Sequence, residues 1–141
     1  FVSPYSNANS SRSPNRAFQG DDVLDELRAT LPAFAKDGLD VLVSHGPPAG
    51  ILDKGAGSGA LAELVRDTKP RYHIFGHQHN CFGAIVKGRT CFVNASSTDG
   101  LFALCKPPLV VDVVAEDAAP MAPSESFFDV DYVRGRLALV S

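Results

Sequence analysis

Cysteine is scarce, with three in 141 residues, odd in number and widely spaced. That excludes the paired framework of a small secreted disulfide domain and leaves no zinc motif of paired cysteines. Long apolar runs are missing too. The longest, Leu109 to Val114, is interrupted by Asp112. Nothing approaches the roughly 20 residues of a spanning helix, so membrane insertion is not expected. Positive charge is also short: 13 Lys and Arg against 16 Asp and Glu leave a net charge of -3. No broad cationic field exists to hold nucleic acid or an anionic membrane, and strong nucleic-acid binding is not expected. No Gly-Lys-Ser/Thr occurs, which removes the P-loop. No basic-then-apolar leader is visible, and the first residue is Phe1 rather than Met, so further sequence is expected upstream. These absences point to an intracellular, cytoplasmic protein, with an organellar address left open in any upstream segment.

What remains is ordinary for a globular chain: 45% hydrophobic and 21% charged residues, enough length to bury a core, and no internal repeat. Residues 3–16 are polar and irregular and read as a loop or arm. Asp21 and Asp22 stand where a helix begins, with Val23, Leu24, Leu27 and Leu31 at helical spacing and Pro32 to stop or kink the run. Asp40 to Ser44 reads as a buried strand. His45 to Gly59 holds five Gly and two Pro in fifteen residues and reads as a long, functional loop. Ser58 is placed to cap a second helix carrying Leu61, Leu64 and Val65, with Pro70 beyond its end. Arg71 to Phe75 is a second strand. Cys81 to Val86 and Thr90 to Ala95 form a hairpin through Lys87-Gly88, and Leu109 to Val114 is a last strand. Glu116 to Ser126 is a Pro/Ala/Ser/acidic linker, and residues 127–141 form a tail segment of mixed periodicity. The pattern predicts an α/β domain with a mixed sheet and flanking helices.

Three of the four histidines stand just beyond strand ends. His45 follows the first strand in Ser44-His45-Gly46-Pro47-Pro48; His77 and His79 follow the second in Gly76-His77-Gln78-His79-Asn80. Ligand sites in α/β sheets form at the carboxyl ends of strands, so parallel pairing of these two strands would bring the imidazoles to one edge. Residues i and i+2 of extended chain point the same way, about 6–7 Å apart. Two hydrolytic metals lie about 3.5–4 Å apart, which such imidazoles span. Flanking Gly46 and Gly76 let the backbone approach an ion or phosphate closely. His73, inside the strand, reads as structural.

These stretches carry a family resemblance. Ser3-Pro4-Tyr5, Val41-Leu-Val-Ser-His-Gly-Pro-Pro48, His73-Ile-Phe-Gly-His-Gln-His79, Phe92-Val-Asn-Ala-Ser96 and Pro107-Pro108 resemble the C-terminal half of calcineurin-like metallophosphoesterases. The likeness is greatest to the branch related to the mammalian metallophosphoesterase-domain proteins, and it covers about residues 3–114. It implies that residues 1–115 are one half of a four-layer α/β/β/α sandwich whose N-terminal half is missing. That half would lie in the same or another chain. By the same resemblance His45 and His77 would bind one of two divalent ions (manganese, iron or zinc) and His79 the other. Asn94, in the Asn-Ala-Ser turn, would line the substrate site together with Gly46 and Gly76. The implied activity is hydrolysis of phosphoester small molecules, phosphodiesters and nucleotides among them, by a metal-activated water.

The chain departs from the family pattern as well. The family uses an Asp-x-His, a bridging Asp and an Asn-His pair, and none of these is present. Without the missing half, the inner face of the sheet should be apolar and uncovered. A catalytically inactive structural or interaction subunit of a larger assembly is the alternative. Arg16, Arg71 and Lys54 are candidate phosphate contacts. Gly55-x-Gly57-x-x-Ala60 imitates a dinucleotide fingerprint, but no strand leads into it, and loop plus helix entry explains its glycines.

Overall fold

The computed structural model describes residues 21–35, 38–113 and 124–125. The arm over residues 3–16, with Arg16, the tail 127–141 and most of the linker therefore lie outside the described residues. Helix α1 spans Asp21–Ala35 and α2 spans Gly59–Thr68. The strands are β1 Val41–Val43, β2 Tyr72–Phe75, β3 Gly83–Lys87, β4 Thr90–Asn94, β5 Leu109–Val110 and β6 Ser124–Glu125. The main sheet has the order β1-β2-β4-β3. β1, β2 and β4 run parallel, and β3 pairs antiparallel with β4. The sheet is mixed, as the sequence predicts, and β1-α2-β2 is a parallel crossover unit.

Alternation along the strands sends residues to two faces. On one face Leu42, Phe75 and Phe92 meet Leu27 and Leu31 of α1 and Leu61, Leu64 and Val65 of α2 in a single buried cluster. The α2 triplet at i, i+3 and i+4 is buried because it forms one stripe of the helix. Ser58 caps the helix as expected, its Oγ accepting from the Leu61 amide at 3.1 Å. At the other end Lys69 adopts a left-handed conformation (φ 47°), and its amide closes on the Val65 carbonyl.

Several expectations shift. Pro32 lies inside α1, which continues to Ala35. A proline there forgoes the N–H that would meet the Arg28 carbonyl, and the helix runs on for only three residues beyond it. Cys81 falls in a 3-10 turn, His79–Cys81, rather than in the strand. The last strand contracts to Leu109–Val110 and pairs with Ser124–Glu125 in a separate ribbon.

The second sheet face is not bare. Tyr72, Cys91 and Val93 are buried, with Leu109 and Val111 packed against them. The Tyr72 hydroxyl donates to the Asp112 carbonyl at 2.9 Å, pinning that segment across the face. Large apolar side chains left in view include Ile85 and Val86 on the edge strand β3, and Leu101 and Phe102 in a loop.

Candidate functional site

The carboxyl ends of β1 and β2 are adjacent because the strands pair in parallel, Val43 beside Ile74. The pairing continues past both ends: the Ser44 amide donates to the Ile74 carbonyl, and the Gly76 amide to the His45 carbonyl, each at 3.0 Å. This zipper brings His45 and His77 together, Nε2 to Nδ1 at 3.1 Å, with the rings edge to face. His77 has φ 69°, in the left-handed region that non-glycine residues seldom occupy. Such a conformation costs on the order of 1–3 kcal/mol and persists where its surroundings enforce it. Burial, and then the neighbouring His45 and His79, hold the His77 imidazolium down, favouring the neutral ring.

His79 stands apart from this pair. Its Nδ1 lies 2.6 Å from the Asp99 carbonyl, which can only accept, so Nδ1 carries a proton and Nε2 is the nitrogen available to a ligand in the neutral tautomer. Its ring also rests edge-on against Phe102. Among the described residues no three His, Cys, Asp or Glu side chains converge closely enough to hold an ion. The structure brings two of the three predicted imidazoles together and leaves the third two residues further on, at the start of the 3-10 turn His79–Cys81.

Asn94 is fully buried, and its hydrogen-bonding groups are engaged inward. Its Nδ2 donates to the Gln78 carbonyl at 3.0 Å and the Leu52 carbonyl at 3.3 Å, while Oδ1 accepts from the Ser96 amide at 3.1 Å. It ties the glycine-rich loop, the His77–His79 segment and its own turn together from behind. A Cβ on Gly76 would meet only ordinary contact, with Ser96 Oγ at 3.5 Å, and the Gly76 amide is already used on the His45 carbonyl. Gly46 is buried, and its carbonyl accepts from Ser44 Oγ at 2.8 Å. These three positions thus shape the floor beneath the histidines.

His73 is buried among Phe75 and Phe92, as its place within the strand suggests. Ser44 Oγ gives its proton to the Gly46 carbonyl and receives one from His73 Nε2 at 2.8 Å. His73 Nδ1 is then a buried acceptor without a partner among the described residues. Burial pushes the His73 pKa down to about 3, so the ring is neutral.

Two residues that sequence reading passes over organise the loops. The buried Asp53 carboxylate accepts from the Gly50 amide at 2.9 Å and the Gly57 amide at 3.1 Å. Burial raises its pKa, but these backbone donors outweigh that and leave it below the usual carboxylate range. Asp99 accepts from the Leu101 and Ala103 amides. Lys106 Nζ bridges the His79 and Thr98 carbonyls. The Asp99-Gly100 dipeptide is a turn cue that could have exposed the second of these loops. Arg71, a candidate phosphate contact, is buried at the opposite end of β2, where it meets Asp40 at 3.3 Å. It faces away from the histidines because it precedes its strand rather than following it. Lys54 lies exposed within the glycine-rich loop.

Comparison with known proteins completes this description. Over 84 residues the chain is 38% identical to human metallophosphoesterase domain-containing protein 1, an alignment covering 55% of this chain and 26% of that protein. The mouse protein of the same name matches equally. The Caenorhabditis elegans UPF0046 protein T07D4.2 is 30% identical over 122 residues, covering 82% of this chain and 28% of that protein. The chain is metallophosphoesterase-like. No family model matches it. The metallophosphoesterase-like chain spans about a quarter of the length of these curated relatives. The name of the first two implies a metal cofactor in general terms. No helix among the described residues is long and apolar enough to cross a membrane.

The donor set can be tested against such a cofactor. Two imidazole nitrogens about 2.0–2.1 Å from one ion, at angles between octahedral and tetrahedral, are separated by roughly 2.9–3.3 Å. The observed 3.1 Å between His45 Nε2 and His77 Nδ1 lies in that interval. Proton donation by His79 Nδ1 to a backbone carbonyl is the outer hydrogen bond that metal-ligating histidines make. The imidazoles fit a metal centre. Carboxylate ligands to complete one do not converge on them among the described residues.

Proposed function

We propose that this chain is the histidine-bearing C-terminal half of a metal-dependent phosphoesterase, acting on phosphodiesters or nucleotide phosphates. In this reading His45 and His77 hold one of two divalent ions (manganese, iron or zinc) and His79, through Nε2, the other. The missing N-terminal half, in the same or another chain, would supply the carboxylates and complete a four-layer sandwich. When bound, the ions would supply Lewis-acid charge and an activated water. This chain's own part is positioning: the zipper beyond β1 and β2 fixes His45 and His77, the Asp99 carbonyl fixes the His79 tautomer, and Asn94 braces the floor.

The observation that carries the reading is the 3.1 Å meeting of His45 and His77, with His77 held in a strained backbone conformation. A purely structural subunit would keep the same 3.1 Å pair as an N–H···N hydrogen bond, and it is the strained His77 backbone that favours the metal reading. The test is native mass spectrometry of the protein purified from its source without chelator, alongside hydrolysis of bis-p-nitrophenyl phosphate. The expected species exceeds 14.9 kDa, carries two metal ions, and hydrolyses the diester. His77→Ala should lower that activity by more than about 100-fold, since loss of an outer-shell partner alone costs about 10–100-fold. A metal-free, inactive species near 14.9 kDa would overturn the proposal.

A further inference from the structure

Away from the histidines, a cleft of about 480 Å³ opens between α2 and the β3–β4 hairpin. Its floor is apolar, formed by Ile51, Ala62, Val65 and Phe92. Its rim carries four cations: Arg66 from α2, Lys69 from its cap, and Lys87 and Arg89 from the hairpin. The pattern follows from the sequence. Ala62, Val65 and Arg66 fall at i, i+3 and i+4 and so form one stripe of α2, and Lys69 follows in the left-handed cap just beyond its end. The stripe turns from apolar to basic toward its end. Opposite that end, Lys87 and Arg89 flank Gly88, whose φ of 61° makes the tight turn.

Helix-dipole complementarity accounts for Arg66 and Lys69 in and after the last turn of α2. It does not account for Lys87 and Arg89, which sit on a hairpin. Among the described residues no acidic side chain lines the cleft. Arg66 meets Asp67 at 3.4 Å in an exposed pair, and exposed pairs contribute little. Four like charges around one opening repel each other, in a chain whose net charge is -3. An anion at the rim removes that repulsion, and an apolar body on the floor displaces water from the part-exposed Ile51 and Ala62. The volume lies within the range of about 300–1,000 Å³ typical of small-molecule sites.

We infer that this cleft binds a small amphipathic anion, an apolar chain ending in a phosphate or carboxylate head. The head sits among Arg66, Lys69, Lys87 and Arg89, and the chain lies over Ile51 and Ala62. The site uses none of the histidines and stands independently of the phosphoesterase reading.

Decyl phosphate is the probe, titrated calorimetrically below its micellar concentration, with decanol and inorganic phosphate as partial ligands. Decyl phosphate should bind at 1:1 and at least tenfold more tightly than either partial ligand. Lys87→Glu/Arg89→Glu, a change confined to two exposed side chains, should weaken it at least tenfold. Ala62→Phe, which fills the floor and leaves the charges in place, should do the same, while His45→Ala/His77→Ala leaves binding unchanged. Equal binding of decanol would mean apolar adsorption, and equal binding of phosphate a bare anion site; either overturns the inference. So would retention of binding in both cleft variants, its loss in the histidine variant, or binding only to decyl phosphate micelles.

Discussion

An imidazole with no exposed surface is neutral in the fold, and every proton it takes up on unfolding counts against the native state. His73 is in that position, with a pKa pushed down to about 3 by burial, against 6.5 when solvated. Between those values the unfolded chain binds the proton and the folded chain does not, so stability rises with pH. The contribution is fully present above pH 6.5 and is lost as pH falls toward 3. One proton limits the slope to about 1.4 kcal/mol per pH unit. His73→Leu keeps comparable volume and leaves Ser44 its Gly46 acceptor. We expect it to flatten the acid limb by about one proton, read as urea midpoints at pH 7, 6 and 5; parallel limbs in the two proteins would refute this. Gly57 carries a second prediction at this scale. A Cβ there would lie 2.5 Å from the Pro48 carbonyl oxygen and 2.7 Å from Ala49 Cα, both backbone atoms. Gly57→Ala should therefore destabilise by about 1–3 kcal/mol, the usual range for overpacking, seen as a lowered urea midpoint.

Elements are where the sequence was most legible, because burial repeats with the period of the backbone. Leu61, Leu64 and Val65 marked α2 and its buried stripe; Ser58 marked its start; the runs ending at Val43 and Phe75 marked two parallel strands whose ends share an edge. The histidine pair followed from that adjacency. Side chains that fold loops by catching backbone amides have no such period, so Asp53 and Asp99 went unread although both shape the site. Of the two readings open for Pro32, stop or kink, the stop does not hold, since the helix runs three residues past it. Cover over Tyr72 and Val93 depends on a segment from far along the chain. The start of α2 gives a paired test. Ser58→Ala removes the oxygen that accepts from the Leu61 amide and should cost about 1 kcal/mol. Gly59→Ala meets nothing within 4 Å and should stabilise by up to about 1 kcal/mol. Thermal unfolding of the two variants should shift in opposite directions, and shifts of the same sign would contradict this account of the helix start.

For the whole molecule the decisive quantity is how many ions these 141 residues hold alone. Two imidazoles at 3.1 Å supply two ligands and no negative charge, and His79 adds one nitrogen two residues further on. Two ions about 3.5–4 Å apart repel strongly unless carboxylates bridge and neutralise them. None converges here among the described residues. The isolated chain should therefore bind one zinc or manganese ion weakly, never two. That ion should stabilise the fold by RT ln(1 + [L]/Kd), about 2.7 kcal/mol at a hundredfold excess over Kd. In His45→Ala/His77→Ala the stabilisation should disappear, while unfolding without metal should change much less, since His45 is exposed and His77 only part-buried. Metal-dependent unfolding curves and native mass spectra of the two proteins make the comparison. Two tightly held ions on the wild-type chain would mean that these residues need no partner half. Metal stabilisation that survives in the double variant would place the binding elsewhere on the molecule.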